Sequence, residues 1–158
     1  SRPVSRSAVL LSRFVVSAVL LVLGVLLVSW SALPLSEHFI GETLAERGES
    51  LPLATAMLGG LHGSLFLVML YAATVCVSVF ADTQSKVAFT AAGTFVSMFL
   101  VYFVQDIHDW SFYKWNDLIV VLEIRDTGSL PWTTVGWITA VTAALLLVSL
   151  RRFHTRDF

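Results

Sequence analysis

The chain has 158 residues, of which 56% are apolar and only 13% carry a charge at neutral pH. A soluble domain normally carries about 25% charged residues, and the mean hydropathy here is +0.80. The composition therefore excludes an ordinary soluble domain and a basic nucleic-acid-binding surface, and it predicts an all-α integral membrane protein. Since there is a single cysteine, Cys76, no disulfide can form within the chain.

Long apolar stretches predict four transmembrane helices in one transmembrane domain that covers residues 1–158. About 20 apolar residues in a helix are needed to cross the hydrocarbon core of a bilayer. The predicted spans cover about 8–30, 53–80, 87–105 and 132–150. The second is long enough to span with a tilt. In the first, the uncharged run begins at about Phe14, although the helix itself is expected to start near Ser7.

The first apolar stretch also allows a second interpretation, a cleaved secretory signal peptide. An arginine-rich segment precedes the stretch, and Ser29-Trp30-Ser31 resembles a small-residue cleavage site. The stretch is long for a signal peptide and three further spans follow it, which favours a retained transmembrane helix.

Lysine and arginine placement predicts that both termini lie in the cytoplasm. An even number of spans puts both ends on one side, and cytoplasmic segments are enriched in Lys and Arg. The terminal side holds Arg2, Arg6, Arg13, Lys86, Arg151, Arg152 and Arg156, whereas the opposite side holds only Arg47, Lys114 and Arg125. The chain is therefore expected in a plasma membrane, as a multi-pass and prokaryotic protein.

Three connections join the predicted spans. The first external loop, Ser31 to Leu51, contains SEHFIGETLAERGES and predicts a short amphipathic helix on the membrane surface. ADTQSK predicts a tight internal turn. The second external loop contains WNDLIVVLEI, which is too apolar for a solvated loop and too short to span, so it predicts an interfacial or re-entrant helix. We expect Asn116 to cap that helix and Gly128 and Pro131 to end it.

His62 lies inside the second span, in the sequence GGLHG. Gly59 and Gly63 form a GxxxG pair, which lets another helix approach closely. An ionisable residue in a span is a candidate functional residue. Two interpretations remain open for His62: a neutral side chain hydrogen-bonded across a helix contact, or a group that lines a substrate path.

No catalytic, cofactor-binding or metal site is predicted. Asp106, His108 and Asp109 form the sequence DIHD, to which Glu37 and His38 are possible additions, but this spacing is not that of a known metal site. GGLHG is not a phosphate-binding loop, because no strand precedes it and no Lys-Ser/Thr follows. An intramembrane enzyme built on His62 and DIHD would lack a nucleophile.

The N-terminal sequence SRPVSR, followed by SAVLLSR and a span, resembles the cytoplasmic element of permease subunits of type-two, exporter-like ATP-binding-cassette (ABC) transporters. The C-terminal sequence RRFHTRDF is similar to the way these permeases end. Gly is common in the family where this chain has Ser12, and Lys is usual where this chain has Arg13. The resemblance implies coupling to the ATPase through a short set of residues: Arg2, Pro3, Ser5, Arg6 and Arg13.

The resemblance also implies partners and a missing segment. Such permeases have six spans, so the four predicted here would be spans three to six of a longer chain. ATP hydrolysis would occur on a separate cytoplasmic ABC ATPase subunit, and a second permease subunit would complete the pathway. The alternative is a self-contained four-span structural or accessory membrane protein, in which the arginines only anchor the first helix.

Overall fold

A computed structural model describes residues 6–46 and 52–155. It contains five α-helices: α1 (Arg6–Glu46), α2 (Leu53–Phe80), α3 (Gln84–Tyr102), α4 (Leu118–Thr127) and α5 (Trp132–Thr155). Two short 3₁₀ helices, His108–Trp110 and Phe112–Asn116, lie between α3 and α4. Within these residues, four helices (α1, α2, α3 and α5) are long and apolar enough to cross a membrane. The predictions of an all-α fold and of four spans are confirmed.

Helix α2 lies at the centre of the bundle and packs most extensively against α1 and α5. Its apolar side chains run all the way round, and Phe66 and Met69 form a buried cluster with Ile138 of α5. Buried residues make up 28% of the most apolar window of α2, but only 6% in α1 and in α3. Apolar surface on α1 and α3 is therefore open to lipid or to further helices.

The four long helices define two ends of the bundle, which we call the basic end and the loop end. Helices α1 and α3 begin at the basic end and α2 and α5 finish there, so this end carries Arg6, Lys86, Arg151 and Arg152. The Arg152 guanidinium lies 5.7 Å from the centre of the Phe80 ring, which puts the last turns of α2 and α5 at one level. The loop end carries the connection from α3 to α5.

Helix α1 is longer than the sequence predicts. It runs unbroken for 41 residues and contains Pro34, where a loop and a separate surface helix were expected from Ser31 onward. The expectation of a break at Ser31 was wrong. Proline removes one helical hydrogen bond, and the leucine, alanine and glutamate residues on both sides of it favour helix. Only Ser7–Pro34 qualifies as a membrane span within α1.

The turn between α2 and α3 is as short as ADTQSK predicts. Thr83 caps α3, since its hydroxyl accepts a hydrogen bond from the Lys86 N–H at 3.4 Å. Lys86 Nζ lies 3.5 Å from a carboxylate oxygen of Asp82, and both side chains are exposed. An exposed pair of this kind contributes little to stability, so the cap and the short connection define the turn.

Helix α4 occupies the segment in which an apolar helix was predicted, but its cap differs by one residue. The Asp117 carboxylate accepts from the Leu118 N–H at 2.6 Å, whereas Asn116 belongs to the preceding 3₁₀ helix. Asn116 as the cap was therefore wrong. Gly128 ends α4, as expected, with φ at +63° in the left-handed region that favours glycine.

The position of the cap gives a simple test. Asp117→Ala should lower the free energy of unfolding by about 1 kcal/mol, because an α4 N–H loses its acceptor. Asn116→Ala, one residue earlier, should change it by less than about 0.5 kcal/mol, since the Asn116 side chain is exposed. Denaturant titration of both variants in detergent measures the difference. Equal effects would show that Asp117 does not cap the helix.

Candidate functional site

The connection between α3 and α4 docks into the bundle because α3 is short. Helix α2 has 28 residues and is ~42 Å long, whereas α3 has 19 residues and is ~28 Å long. Since α2 finishes and α3 begins at the basic end, α3 stops roughly 14 Å short of the first residue of α2. The second 3₁₀ helix and the residue before it, which we call the docked segment (residues 111–116), pack beside α2 and α3 there.

His62 ties the docked segment to α2. Its side chain is completely buried, and Nε2 lies 2.8 Å from the main-chain carbonyl oxygen of Trp115. A carbonyl oxygen can only accept a hydrogen bond, so Nε2 carries the proton. The other ring nitrogen, Nδ1, is buried and has no partner among the described residues. The geometry is that of a histidine that donates a hydrogen bond across a contact within the bundle.

The two interpretations of His62 can now be compared with its surroundings. The hydrogen bond reaches the connection between α3 and α4 rather than another spanning helix, so the partner differs in kind from the expected helix contact. The side chain is sealed from solvent within the chain. Positioning of the docked segment is therefore the role that the described contacts support.

Ser111 ties the docked segment to α3. The Ser111 hydroxyl is buried and donates to the main-chain carbonyl of Met98 at 2.7 Å, while the same oxygen accepts from the Tyr113 N–H at 3.2 Å. Phe66 of α2 adds ring contacts to Phe112 and Tyr113, at 6.2 Å and 5.8 Å between ring centres. Polar bonds to two helices and aromatic packing thus fix the segment in one position.

A cavity of about 270 Å³ lies beneath the docked segment, between α2, α3 and α5. Its walls are almost entirely apolar, and Phe112 and Trp115 of the docked segment close one side of it. The other walls include Met69, Phe95, Met98 and Leu145. A cavity with this lining holds apolar groups rather than ions.

The glycine that permits close helix packing is Gly60, which the sequence analysis did not single out. A Cβ atom at Gly60 would overlap the Ser29 hydroxyl and lie 2.9 Å from the Ser29 Cβ atom of α1. A Cβ atom at Gly59 would meet nothing within 4 Å, and one at Gly63 would reach only Asn116 Oδ1 at 4.0 Å. Among the described residues, the Gly59 and Gly63 pair therefore does not make the close approach that GxxxG predicted.

Asp106, His108 and Asp109 lie on the surface at the loop end. Asp109 accepts from Lys114 Nζ at 3.2 Å, and its carboxylate lies 3.5 Å from His108 Nε2. His108 Nδ1 is 3.1 Å from the carbonyl oxygen of Gln105. In the ranges 6–46 and 52–155, no three metal-ligating side chains come together. The cluster is a set of exposed charge pairs around a turn.

Most of the residues assigned to ATPase coupling lie at or beyond the edge of the structure. Arg2, Pro3 and Ser5 fall outside the described residues, and Arg6 begins α1. Arg13 lies inside the candidate span Ser7–Pro34, two turns into α1, with its side chain exposed. The next residue, Phe14, is buried and stacks on Tyr71 of α2 at 5.4 Å between ring centres.

The sequence contained a signal for some of these contacts and none for others. Gly60 is next to Gly59, which the GxxxG pattern had singled out, but only the orientation of α2 about its own axis shows which of the two glycines faces α1. Ser111 and Trp115 stand in a run of aromatic and polar residues that has no distinctive spacing.

No known protein family, curated protein or solved structure matches this chain.

Proposed function

We propose that the chain is the C-terminal four-span part of an ABC transporter permease subunit of the exporter-like type. It would convert ATP hydrolysis on a partner subunit into movement of substrate across the membrane. The observation that supports this most directly is the docked segment with α4, because Ile119 to Ile124 and the residues around it resemble the apolar external insertion that permeases of this type have before the last span. This insertion lies at the opposite end of the bundle from Lys86, Arg151 and Arg152.

The topology proposed with this function places the basic end in the cytoplasm of a prokaryotic cell and the loop end outside. The docked segment and α4 would then form a re-entrant element. His62 and Ser111 support this, because they bond the segment to spanning helices below the outer end of α2. Irregular backbone at membrane depth is tolerated where protein buries it, and the docked segment is packed in this way.

The weak burial of α1 and α3 supports further helices beside them. In a membrane their apolar faces contact lipid or protein. In the proposed assembly, two preceding spans and a second permease subunit cover part of the apolar faces of α1 and α3. The ATPase subunit would contact the basic end through Arg2, Pro3, Ser5 and Arg6, with Arg13 deeper in α1.

The proposal is tested by charge reversal at the N-terminal arginines. In the natural chain, with all its spans, Arg2→Glu with Arg6→Glu should reduce co-purification of the ATPase subunit encoded beside it at least fivefold. Arg125→Glu is the matched control, because Arg125 lies at the loop end and contacts only Asp126 among the described residues. Unchanged co-purification of a bound ATPase would refute the coupling role. Absence of any neighbouring ATPase gene would refute the permease assignment.

The second candidate is a self-contained four-span accessory protein. The observation in its favour is that α2 packs against α1, α3 and α5 within the described residues, with a buried cluster between α2 and α5. This candidate predicts that the purified chain keeps its helix packing and has no ATPase partner. The co-purification experiment therefore separates the two.

A further inference from the structure

We propose that Arg13 binds the phosphate group of an anionic phospholipid, in the leaflet at the basic end of the bundle. A recess of about 370 Å³ opens beside Arg13 on the outer surface of α1 and α2. It is lined by Ser12, Arg13, Val16, Ser17 and Tyr71. This inference requires only that α1 and α2 span a membrane, and it is independent of the proposed permease function.

The depth of Arg13 argues for a lipid ligand. Arg13 is seven residues after Arg6, the first residue of α1, and so ~10 Å along the helix from the basic end. Helix α2 gives a similar distance from the basic end. Its Tyr71 ring stacks on the Phe14 ring, and Tyr71 lies nine residues, or ~14 Å, before Phe80, the last residue of α2. The Cα atom of Arg13 therefore lies ~10 Å from the basic end of α1, inside the candidate span Ser7–Pro34.

An arginine at this depth extends towards the headgroups. Side chains on a helix tilt towards its N-terminus, and the N-terminus of α1 is at the basic end. The long apolar stem can thus cross the outermost acyl region and present the guanidinium at the level of the lipid phosphates.

The positive charge of Arg13 has no negatively charged partner within the described part of the chain. No carboxylate there forms an ion pair with Arg13; the recorded ion pairs all involve other residues. The lining residues Ser12, Ser17 and Tyr71 are polar and uncharged, and none supplies an anion at neutral pH. The Arg13 side chain is exposed on the bundle, and a membrane would withdraw it from water; since a desolvated cation without an anion is costly, the recess favours an anionic ligand from its surroundings.

Hydroxyl groups beside Arg13 suit phosphate oxygens. The Ser12 hydroxyl already donates to the Val9 carbonyl at 3.0 Å. In contrast, the hydroxyls of Ser17 and Tyr71 have no acceptor in the described ranges, and both residues line the recess. Guanidinium and hydroxyl donors together are the usual partners of phosphate oxygens. Stacking of Phe14 on Tyr71 holds one wall of the recess in place.

The recess favours an anionic over a zwitterionic headgroup. Both kinds carry a phosphate, but the choline or ethanolamine cation of a zwitterionic lipid would find Arg13 nearby and no carboxylate to pair with. Phosphatidylglycerol brings hydroxyl groups instead. One arginine near the membrane surface contributes ~1 kcal/mol to anionic-lipid binding, which corresponds to about fivefold in affinity at 25 °C.

Native mass spectrometry of the purified full chain tests the proposal. The chain is equilibrated in detergent with equal amounts of dioleoylphosphatidylglycerol and dioleoylphosphatidylcholine, and the ratio of the two bound lipids is measured. The unmodified chain should favour phosphatidylglycerol, and Arg13→Gln should lower that ratio about fivefold. Arg13→Lys should retain most of the preference, because a lysine keeps the charge. Tyr71→Phe should lower the total amount of bound lipid about twofold and leave the ratio unchanged, because the lost hydroxyl donates to the phosphate that both lipids carry.

Arg125→Gln is the matched control, since it removes the same charge from the loop end. It should leave the ratio unchanged within error. An unchanged ratio in Arg13→Gln, or an equal fall in Arg125→Gln, would overturn the proposal. Inorganic phosphate at 10 mM or so distinguishes the source of the ligand: displacement of phosphatidylglycerol by it would indicate a free-anion site and overturn the lipid assignment. If Arg13→Gln does not fold, the total amount of bound lipid decides: a fall in Tyr71→Phe that Arg125→Gln lacks supports the site, and equal binding in the two variants overturns it.

Discussion

Replacement of His62 by alanine is expected to lower the free energy of unfolding by about 3 kcal/mol and to release the docked segment. The loss has two sources. The carbonyl of Trp115 loses the Nε2–H donor that lies 2.8 Å away, which costs about 1–3 kcal/mol in a buried position. Removal of a fully buried ring also leaves a cavity that the surrounding helices refill only in part. Denaturant titration in detergent measures the stability, and hydrogen exchange of amides 111–117 measures the release.

Two further variants at His62 separate the hydrogen bond from the packing. His62→Phe keeps a ring but no donor, so it should lose the hydrogen-bond share of the effect and still increase exchange at 111–117. His62→Gln carries an amide N–H that can donate to the same carbonyl, and it should restore most of the stability. His108→Ala is the control, since His108 is exposed and should change stability by less than about 0.5 kcal/mol. Native exchange at 111–117 in His62→Phe would show that the docked segment does not depend on this bond.

The sequence predicted the spanning helices because hydropathy acts locally and is strong in this chain. Each of the four spans is apolar enough to be recognised without reference to its neighbours. The apolar helix before the last span was predicted on the same grounds, and so was its end at Gly128. One error arose at Ser31, where a loop and a separate surface helix were expected but α1 continues through Pro34 to Glu46.

Contacts between residues that are far apart in the chain could not be predicted from sequence patterns. The partner of His62 lies 53 residues away in the chain, and it is a main-chain atom, which leaves no trace in residue type. Arg13 gives the opposite case: its charge was noticed but was assigned with the terminal arginines. Its depth follows only from the pairing of Phe14 with Tyr71, which fixes the register of α1 against α2.

Gly60→Ala is expected to lower the free energy of unfolding by about 2 kcal/mol, although alanine is the better helix former. The added Cβ atom would lie 2.9 Å from the Ser29 Cβ atom and overlap the Ser29 hydroxyl. Rotation of the hydroxyl relieves only part of this overlap, so α1 must move away from α2. Overpacking of this kind costs about 1–3 kcal/mol, which exceeds the gain of ~1 kcal/mol from helix propensity. Denaturant titration in detergent measures the net change.

Gly59→Ala is the matched control, because it makes the same change one residue earlier where nothing lies within 4 Å. Only the propensity gain remains at that position, so its stability should be unchanged or raised by up to ~1 kcal/mol. Ser29→Gly should rescue Gly60→Ala, since it removes both atoms that the new Cβ meets. In a double-mutant cycle the two changes should then show a favourable coupling of at least ~1 kcal/mol. Additive effects in the cycle would mean that α1 and α2 do not approach each other closely at Ser29. Equal losses of stability at Gly59 and Gly60 would contradict the assignment of close helix packing to Gly60.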